Sequence, residues 1–285
     1  MSEKTVKQAQ CKSPPEELHI YCLDGLMPAE AEEDLGNGFL GNWEEGPSSF
    51  LFFDEPALDR VLGVISRHQG LRLIETHVFS YKDWQGAPFE RFEVGGFEIQ
   101  PAWAPGDSGK AGGRRILLDP GVVFGSGLHP TTRDCLRALE LIWRQDCPKK
   151  VLDIGTGTGI LAVAAVILGA EQVSAVDLNP LCVRVAARNA ALNGLEARIR
   201  ARRLDAFDAV ESEGDLVVAN IHFEVIRGLL EMETFRTRGW LILSGLMRSQ
   251  VRQVKDRLHA FGMTIEREWD CQMIWHTLVV RGPGL

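Results

Sequence analysis

The sequence predicts an α/β protein in which a smaller α+β domain precedes a mostly parallel sheet. From residue 114 onward, short apolar segments with a strand pattern alternate with segments of helical period. Such alternation is typical of a parallel sheet covered by helices on both faces. The last segment, MTIEREWDCQMIWHTLVVRG, instead predicts an antiparallel strand pair, so we expect a mixed edge. The remaining strands are expected in KKVLDIG, QVSAVDLN, IRARRL, DLVVANI and RGWLILSGL.

The first part of the chain predicts a separate α+β unit over residues 16–83. LHIYCLDG and LRLIETHVFSY have the pattern of strands, and FLGNWEEG and SSFLFFD indicate a hairpin that turns at Gly46 and Pro47. EPALDRVLGVISRHQG predicts an amphipathic helix, and AEAEEDLG gives a weaker helical signal. The apolar face of the stronger helix would be formed by Leu58, Val61, Leu62 and Ile65.

Composition sets the expected boundaries between these units. Residues 1–15 are polar and are expected to be a flexible tail. Residues 84–113 are expected to form a bridge, which ends in a linker rich in Gly, Pro, Asp, Ser and Lys at residues 105–113. Residues 114–285 would then form the second domain.

The charge of the chain is concentrated near its beginning. The net charge is −8, which argues against broad binding to a nucleic-acid backbone. Residues 1–60 carry 13 acidic and 4 basic residues, so the acidic character belongs to the first domain. The surface that carries these acidic residues could keep the protein soluble or could dock a basic partner, and the sequence leaves both interpretations open.

Several classes of protein are disfavoured by the sequence. No run of eighteen apolar residues is present, so no membrane span is expected. The first fifteen residues lack the apolar segment of a secretory signal. Six cysteines are scattered without CxxC or CxH spacing, so neither a zinc site nor a disulfide framework is expected. These features together predict a cytoplasmic protein.

The segment VLDIGTGTGILA predicts a loop that binds an adenosine cofactor. Its glycines follow a buried strand and precede a helix, where a tight turn lets a ligand approach the backbone. Asp177 ends the next strand, where a carboxylate can accept both ribose hydroxyls. Because the loop also satisfies GxGxxA, a dinucleotide is not dismissed by the pattern alone. No Walker lysine is present, so ATP hydrolysis is disfavoured.

The charge of Asp153 favours S-adenosylmethionine over a dinucleotide. Asp153 lies two residues before Gly155, the first glycine of the loop. Opposite charges about 4 Å apart gain roughly 4 kcal/mol at an effective dielectric near 20, and like charges lose as much. A carboxylate there would attract a sulfonium and an ammonium and repel a pyrophosphate. The alternative is that backbone amides at the helix N-terminus satisfy Asp153.

Two further polar residues follow predicted strands. Asn220 ends DLVVAN, at the strand end where open α/β sheets bind ligands. Its carbonyl can accept an N–H from an amine without adding charge, or it can cap the following helix. Asp205 follows IRARRL at a spacing that can reach an adenine, although a loop aspartate explains the position equally well.

A second glycine-rich segment, LDPGVVFGSGLHPTT, precedes the first strand of the parallel sheet and therefore cannot be its phosphate-binding turn. Together with VLDIGTGTGILAVAA, VDLNP, VVANI and WLILSGL, it resembles the methyltransferases of ribosomal protein L-eleven (the PrmA family). The resemblance covers residues 84–282. The segment thus predicts a lid whose flexible glycines fold over the donor.

This resemblance implies a class I, Rossmann-like S-adenosylmethionine-dependent methyltransferase fold with a ferredoxin-like N-terminal domain that grips the ribosomal protein. It implies methyl transfer to lysine side chains and the N-terminal amine, with Asn220 as the catalytic residue. The residues expected to bind the donor are Phe124, Thr132, Asp153, Gly155, Gly157, Asp177, Leu178, Asp205 and Asn220.

Some assignments stay open at this point. His129 could move a proton near the amine or fix its loop by hydrogen bonds. Phe124 could pack against the donor or fill the core. GSGLHPTT and GTGTG depart mildly from the family pattern, and the first 80 residues match it poorly. The same chemistry on another protein or a small amine is therefore the alternative, and a silent binding module or a nicotinamide oxidoreductase is less favoured.

Overall fold

The computed structural model describes residues 13–104, 106 and 113–283. Most of the predicted tail, residues 1–12, and most of the predicted linker, residues 105 and 107–112, lie outside the described residues. Within the described part of the chain, no helix has both the length and the apolar character needed to cross a bilayer.

The first domain is a four-stranded antiparallel sheet with helices on one face. Its strands pair in the order β2-β3-β1-β4, which is the ferredoxin-like order that the resemblance implied. The strands are β1 (Glu17–Asp24), β2 (Phe39–Glu45), β3 (Ser48–Phe53) and β4 (Arg72–Ser80). The weaker predicted helix is a 3₁₀ helix, Ala29–Leu35, and the stronger one is α1, Leu58–Arg67.

The predicted apolar face of α1 is confirmed at Val61 and Ile65 and is wrong at Leu58 and Leu62. Val61 and Val64 are fully buried, whereas Leu58 and Leu62 are each 45% exposed. The face that packs on the sheet repeats from Ala57 through Val61 to Val64, at spacings of four and three residues. Leu58 and Leu62 are one residue further along, about 100° around the helix, and point to solvent.

The second domain contains a seven-stranded sheet in the order β10-β9-β8-β11-β12-β14-β13. The first five strands in this order are parallel, and β14 runs antiparallel to β12 and β13, which confirms the expected mixed edge. The strands are β8 (Lys150–Ile154), β9 (Gln172–Asp177), β10 (Ile199–Arg203), β11 (Leu216–Asn220), β12 (Trp240–Met247), β13 (Thr264–Cys271) and β14 (Trp275–Arg281).

Helices cover both faces of this sheet. One of them, ILAVAAVIL, is apolar all round because it is buried between the sheet and a smaller one. The helices of this domain are α3 (Pro130–Trp143), α4 (Ile160–Leu168), α5 (Pro180–Leu192), α6 (Ala206–Ala209), α7 (Phe223–Glu231), α8 (Glu233–Arg236) and α9 (Arg248–Ala260). A short helix, α2 (Tyr81–Gln85), follows β4 of the first domain.

The smaller sheet joins the predicted bridge to the second domain. It contains β5 (Phe92–Val94), β6 (Phe97–Pro101) and β7 (Arg114–Leu118), with β6 parallel to β7. Phe97 and Leu118 share a core with α3 and α4. We therefore propose that the bridge segment packs as part of the second domain, and the predicted divisions at residues 84 and 114 remain proposals.

Two asparagines of α5 hold the segment that leads from β7 to α3. Asn193 donates from Nδ2 to the Leu117 carbonyl at 2.8 Å and accepts from the Leu117 amide at 2.9 Å. Asn189, fully buried, bonds in the same way to the amide and carbonyl of Asp119 at 2.9 and 3.0 Å. Its Nδ2 also donates to the Thr158 carbonyl at 2.8 Å. One helix thus fixes both glycine-rich segments.

The first domain packs its other sheet face on α5 and on the segment before α3. Leu18, Ile20 and Phe52 meet Leu181 and Val185 in a shared apolar cluster. A side chain at Gly41 would approach the Leu181 Cδ1 atom to 2.5 Å, so glycine permits this close contact.

Polar contacts join the two domains around this apolar cluster. Arg203 pairs with Glu44 at 2.8 Å, and Asn179 donates to the Glu44 carbonyl at 3.2 Å. Tyr81 donates to the Gly121 carbonyl at 2.7 Å. The first domain therefore contacts both the start of α5 and the segment before α3.

Asn189→Ala should lower the free energy of unfolding by on the order of 3 kcal/mol. The substitution removes the hydrogen bonds of Asn189 to the Asp119 amide and carbonyl and to the buried Thr158 carbonyl. Asn37→Ala, at an exposed position, is the control and should change stability by less than about 0.5 kcal/mol. Equal denaturation midpoints for the two variants would contradict the role assigned to Asn189.

Candidate active site

The predicted site residues gather at the carboxyl edge of the seven-stranded sheet. β8, β9 and β11 are adjacent and parallel, and they end at Ile154, Asp177 and Asn220. Ligands of open α/β sheets bind outside this edge.

The loop after β8 is fixed against both neighbouring strands. The amides of Gly155 and Thr156 donate to the Val176 carbonyl of β9 at 2.9 and 3.0 Å. Gly155 has a φ of +69°, and a Cβ there would lie 2.2 Å from the Cγ2 atom of Ile221. Glycine is therefore required because the residue after Asn220 packs directly against the loop.

Asp177 links the end of β9 to the loop and to α5. Its Oδ2 accepts the Gly157 amide at 3.1 Å, and its Oδ1 accepts the Asn179 amide at 2.9 Å. The carboxylate is half-buried, and burial raises its pKa. The Leu178 amide and the Cys182 thiol also bond to this carboxylate.

Asp153 is almost completely buried below the loop. Its Oδ2 accepts the Thr156 hydroxyl at 2.7 Å, and the Ala162 amide in the first turn of α4 also bonds to it. Burial raises the pKa of Asp153 to about 6, opposed by the Thr156 hydrogen bond. The alternative interpretation, in which Asp153 is satisfied by groups at the helix N-terminus, therefore has its partners in the structure. The ionised carboxylate is nevertheless less stable here than it would be in water.

The segment 118–132 lies directly on the loop after β8. The Thr158 amide donates to the Phe124 carbonyl at 3.1 Å, and the Thr158 hydroxyl donates to the Gly125 carbonyl at 2.6 Å. A Cβ at Gly157 would approach the Phe124 carbonyl oxygen to 2.5 Å. The two glycine-rich segments thus form one hydrogen-bonded unit.

The glycines of this segment have a different role from the one predicted. Gly125 and Gly127 have φ values of +100° and +85°. A Cβ at Gly127 would lie 2.9 Å from the Phe92 ring, and one at Gly125 would lie 3.2 Å from the Thr158 hydroxyl oxygen. Close packing and left-handed backbone therefore explain these glycines better than flexibility does.

Phe124 does not fill the core, because it is 68% exposed. Its ring is edge-on to Trp43 at 5.8 Å and lies 6.3 Å from Trp84. Trp43 belongs to the first domain, so that domain reaches the rim of the candidate site. Leu178 is 60% exposed and follows Asp177 at the same edge.

Asp205 caps α6. Its Oδ1 accepts the Phe207 amide at 2.8 Å, which fits the structural interpretation of this residue. The side chain is only half-buried after β10, so its second oxygen is still available to a ligand.

Asn220 does not cap the following helix. The residue at the N-cap of α7 is His222, and no side chain caps that helix. The Asn220 side chain has no hydrogen-bond partner within residues 13–104, 106 and 113–283. The half-buried amide reaches solvent and is therefore able to bond to a ligand.

The residues at the end of segment 118–132 begin α3. His129 is its N-cap, with Nδ1 at 2.7 Å from the Thr131 hydroxyl and accepting the Thr131 amide at 3.4 Å. Burial lowers the pKa of His129. These contacts match the structural interpretation, in which His129 fixes the loop. Thr132 is only 3% exposed, so little of its surface reaches the cleft.

Sequence reasoning missed Asn179, Asn189 and Trp43, which the structure places around the loop. Asn189 had one available signal: an asparagine inside a helix is unfavourable unless its side chain has a tertiary partner. Among the described residues, no group of three or more His, Cys, Asp or Glu could hold a metal.

Comparison with known proteins agrees with this geometry. The family model described as ribosomal protein L11 methyltransferase (PrmA) matches residues 65–282. A ribosomal protein L11 methyltransferase of Carboxydothermus hydrogenoformans is 39% identical over 180 residues, which cover 62% of this chain and 58% of that protein. One of Geobacter sulfurreducens is 41% identical over 193 residues, covering 65% and 60%. The chain thus matches only about three fifths of these relatives' length.

A solved structure is similar as well. The ribosomal protein L11 methylase of Lactobacillus delbrueckii subsp. bulgaricus superposes with a TM-score of 0.60 at 30% identity. The superposition covers 68% of this chain and 99% of that one. The resemblance drawn from the glycine-rich segments is confirmed, and the chain belongs to the ribosomal protein L11 methyltransferase (PrmA) family.

Proposed function

We propose that this protein transfers methyl groups from S-adenosylmethionine to amino groups of ribosomal protein L11, namely lysine side chains and the N-terminal amine. One observation carries the proposal: the Asp177 carboxylate and the unpartnered Asn220 amide flank one glycine loop. The 2.2 Å approach between a Gly155 Cβ and Ile221 places the loop beside the Asn220 strand end. Family membership supports the class of reaction.

The residues around the loop fit an adenosine-containing donor. Asp177 lies at the end of β9, where a carboxylate can accept the ribose hydroxyls of an adenosine. Gly157 lets the Phe124 carbonyl approach the loop and donates its amide to Asp177. The exposed Leu178 and Phe124 offer apolar surface for a flat base. Asp205 would hold the far side of the base.

Asp153 gives the site a preference for a positively charged donor. A buried carboxyl whose pKa is about 6 is mostly ionised at pH 7.5 but poorly compensated. A nearby cation would stabilise the ionised form, whereas a pyrophosphate would raise its energy further. This preference supports S-adenosylmethionine and disfavours a nicotinamide dinucleotide.

The substrate amine that accepts the methyl group needs to be oriented by the site more than it needs a strong base. Once bound, the donor supplies an electrophilic methyl group on its sulfonium. A free lysine amine must first lose a proton, which costs about 4.7 kcal/mol at pH 7. The Asn220 carbonyl can accept one N–H and hold the nitrogen lone pair in line, while water takes the proton. Thr132 and His129 would position the loop that borders this side.

The acidic first domain supports a basic protein partner. Part of its charge is used inside the molecule, because Glu32 and Glu44 pair with Arg184 and Arg203. Other acids, such as Glu30, Glu33 and Glu45, are exposed and could dock a basic surface. A ribosomal partner would also place the reaction in the cytoplasm.

A second candidate is the same chemistry on another protein or on a small amine. The family match begins at residue 65, so β1, β2, β3 and most of α1 lie outside it. If these strands choose the substrate, the target could differ while the transfer site is retained.

Intact mass spectrometry of ribosomal protein L11 tests the proposal. Incubation with the enzyme and S-adenosylmethionine should add steps of one methyl mass, and peptide mapping should locate them on amines. An unshifted mass, with donor consumed in the presence of other proteins, would support the second candidate. An unshifted mass with no donor consumption would contradict the proposed activity.

Two substitutions should separate donor binding from transfer. Asp177→Ala should weaken donor binding at least tenfold, because a charged hydrogen-bond acceptor contributes roughly 1.5–3 kcal/mol. Asn220→Ala should lower kcat more than tenfold while the protein stays folded, because its side chain bonds to no described residue. Titration calorimetry and steady-state kinetics measure the two effects. Unchanged donor affinity in the Asp177 variant would mean that the ribose binds elsewhere.

Asp153→Asn should stabilise the protein in a pH-dependent way. The folded pKa of about 6 lies above the ordinary value of 3.8, so the folded state retains a proton that the unfolded state releases. The carboxyl therefore destabilises the fold progressively between about pH 4 and pH 6, and by on the order of 3 kcal/mol above that window. Thermal unfolding should show a higher Tm for the variant at pH 7.5 and little difference at pH 4, with weaker donor binding. An equal Tm difference at both pH values would refute the assignment.

A further inference from the structure

The tip of the β13–β14 hairpin has an unfavourable backbone conformation. Gln272 and Met273 have φ values of +54° and +58°, and no other non-glycine residue in the described ranges has a positive φ. The Ile274 amide donates to the Cys271 carbonyl at 3.0 Å, which closes a tight turn. A turn with two left-handed residues is typically made by Asn-Gly, so Gln-Met is a strained choice.

This strained turn exposes apolar side chains. Met273 is 64% exposed and Ile274 is 52% exposed. Met247, the last residue of β12, is 48% exposed and pairs with Trp275 at the base of the turn. Met247, Met273 and Ile274 are thus exposed apolar residues at or beside this turn, and we call them the hairpin patch.

The hairpin patch lies on the acceptor side of the candidate site. Asn220 pairs with Ser244 of β12, and Met247 is three residues further along that strand, about 10 Å away. The Trp275 ring is edge-on to His129 at 5.2 Å, and the Ser244 hydroxyl lies 3.5 Å from the Thr131 carbonyl. The patch therefore continues the cleft wall that Asn220 and the start of α3 form.

We infer that the hairpin patch contacts the apolar side chain next to the target amine of the protein substrate. This inference rests on the proposed transfer to a protein amine. The patch contains three side chains, an area that suits one residue of an extended segment. Methionine side chains adapt to different partners, which suits a site that must accept more than one amine. A strained backbone that a glycine would relieve is typical of a position kept for its side chain.

Two matched variants distinguish the effect of losing the Met273 side chain from the effect of relieving strain in the turn. Met273→Asn removes the apolar side chain and tolerates the left-handed backbone. Gln272→Asn relieves similar strain in the same turn but keeps Met273. Both should raise Tm by about 2–4 °C, because each replaces a residue that the left-handed conformation disfavours.

Steady-state methylation of ribosomal protein L11 by the full chain distinguishes the variants. Met273→Asn should raise KM for the protein about tenfold, with kcat within twofold and donor affinity unchanged. Gln272→Asn should leave all three within twofold. If the wild type is active and the Met273 variant has an unchanged KM, the inference about the hairpin patch is contradicted while the proposed function stands.

Failure of the proposed methyl transfer can be distinguished from failure of the inference about the hairpin patch. Wild-type protein that binds the donor but methylates neither ribosomal protein L11 nor lysine peptides would refute the proposed transfer, and this inference with it. Transfer to lysine peptides, tested with Leu or Gly beside the lysine, gives a second readout. The wild type should prefer the Leu peptide, and Met273→Asn should lose that preference; equal preference in both proteins would contradict the role of the patch.

Discussion

The buried side chain of Asn189 holds together the two glycine-rich segments on which the candidate site depends. Its amide bonds to both backbone groups of Asp119 in one segment and to the Thr158 carbonyl in the other. Thr158 in turn donates to the carbonyls of Phe124 and Gly125. Because Asn189 and Thr158 are fully buried, water cannot replace the bond between them, so its loss is costly.

The position of α5 extends this constraint to the first domain. Asn179 caps the start of the helix, donates to the Glu44 carbonyl and bonds through its amide to Asp177. Leu181 in the next turn packs where Gly41 of β2 has no side chain. The same helix therefore contacts the Asp177 carboxylate, the segment before α3 and the first domain. A change in how the first domain packs on α5 would therefore alter the surroundings of Asp177 and Phe124.

The sequence predicted the parts of the fold that depend on local pattern. Buried strands such as VLDI and LVVAN, the glycine loop between a strand and a helix, and Asp177 at a strand end follow from periodicity and from the geometry of parallel sheets. The ferredoxin-like order of the first sheet followed from the family resemblance, and the strand pairing confirms it.

Features that depend on tertiary partners could not be predicted in this way. Leu58 and Leu62 were expected in the core together with Val61, but the orientation of the helix on the sheet buries Val61 and Val64 and leaves both leucines exposed. Asp205 suits an adenine contact or a helix cap equally well until α6 is seen to begin beside it. The partners of Asn189 lie about 30 and 70 residues away in sequence, so no local pattern reveals them.

Hydrogen exchange at the Thr158 amide tests most directly whether the two segments form one unit before the donor binds. This amide donates to the Phe124 carbonyl at 3.1 Å. We predict slow exchange in the donor-free protein and clearly faster exchange in Asn189→Ala, because loss of the clamp frees the Phe124 segment. Rapid exchange in the donor-free wild type, with protection appearing only when S-adenosylmethionine is added, would contradict this account and show that the segment closes as a lid.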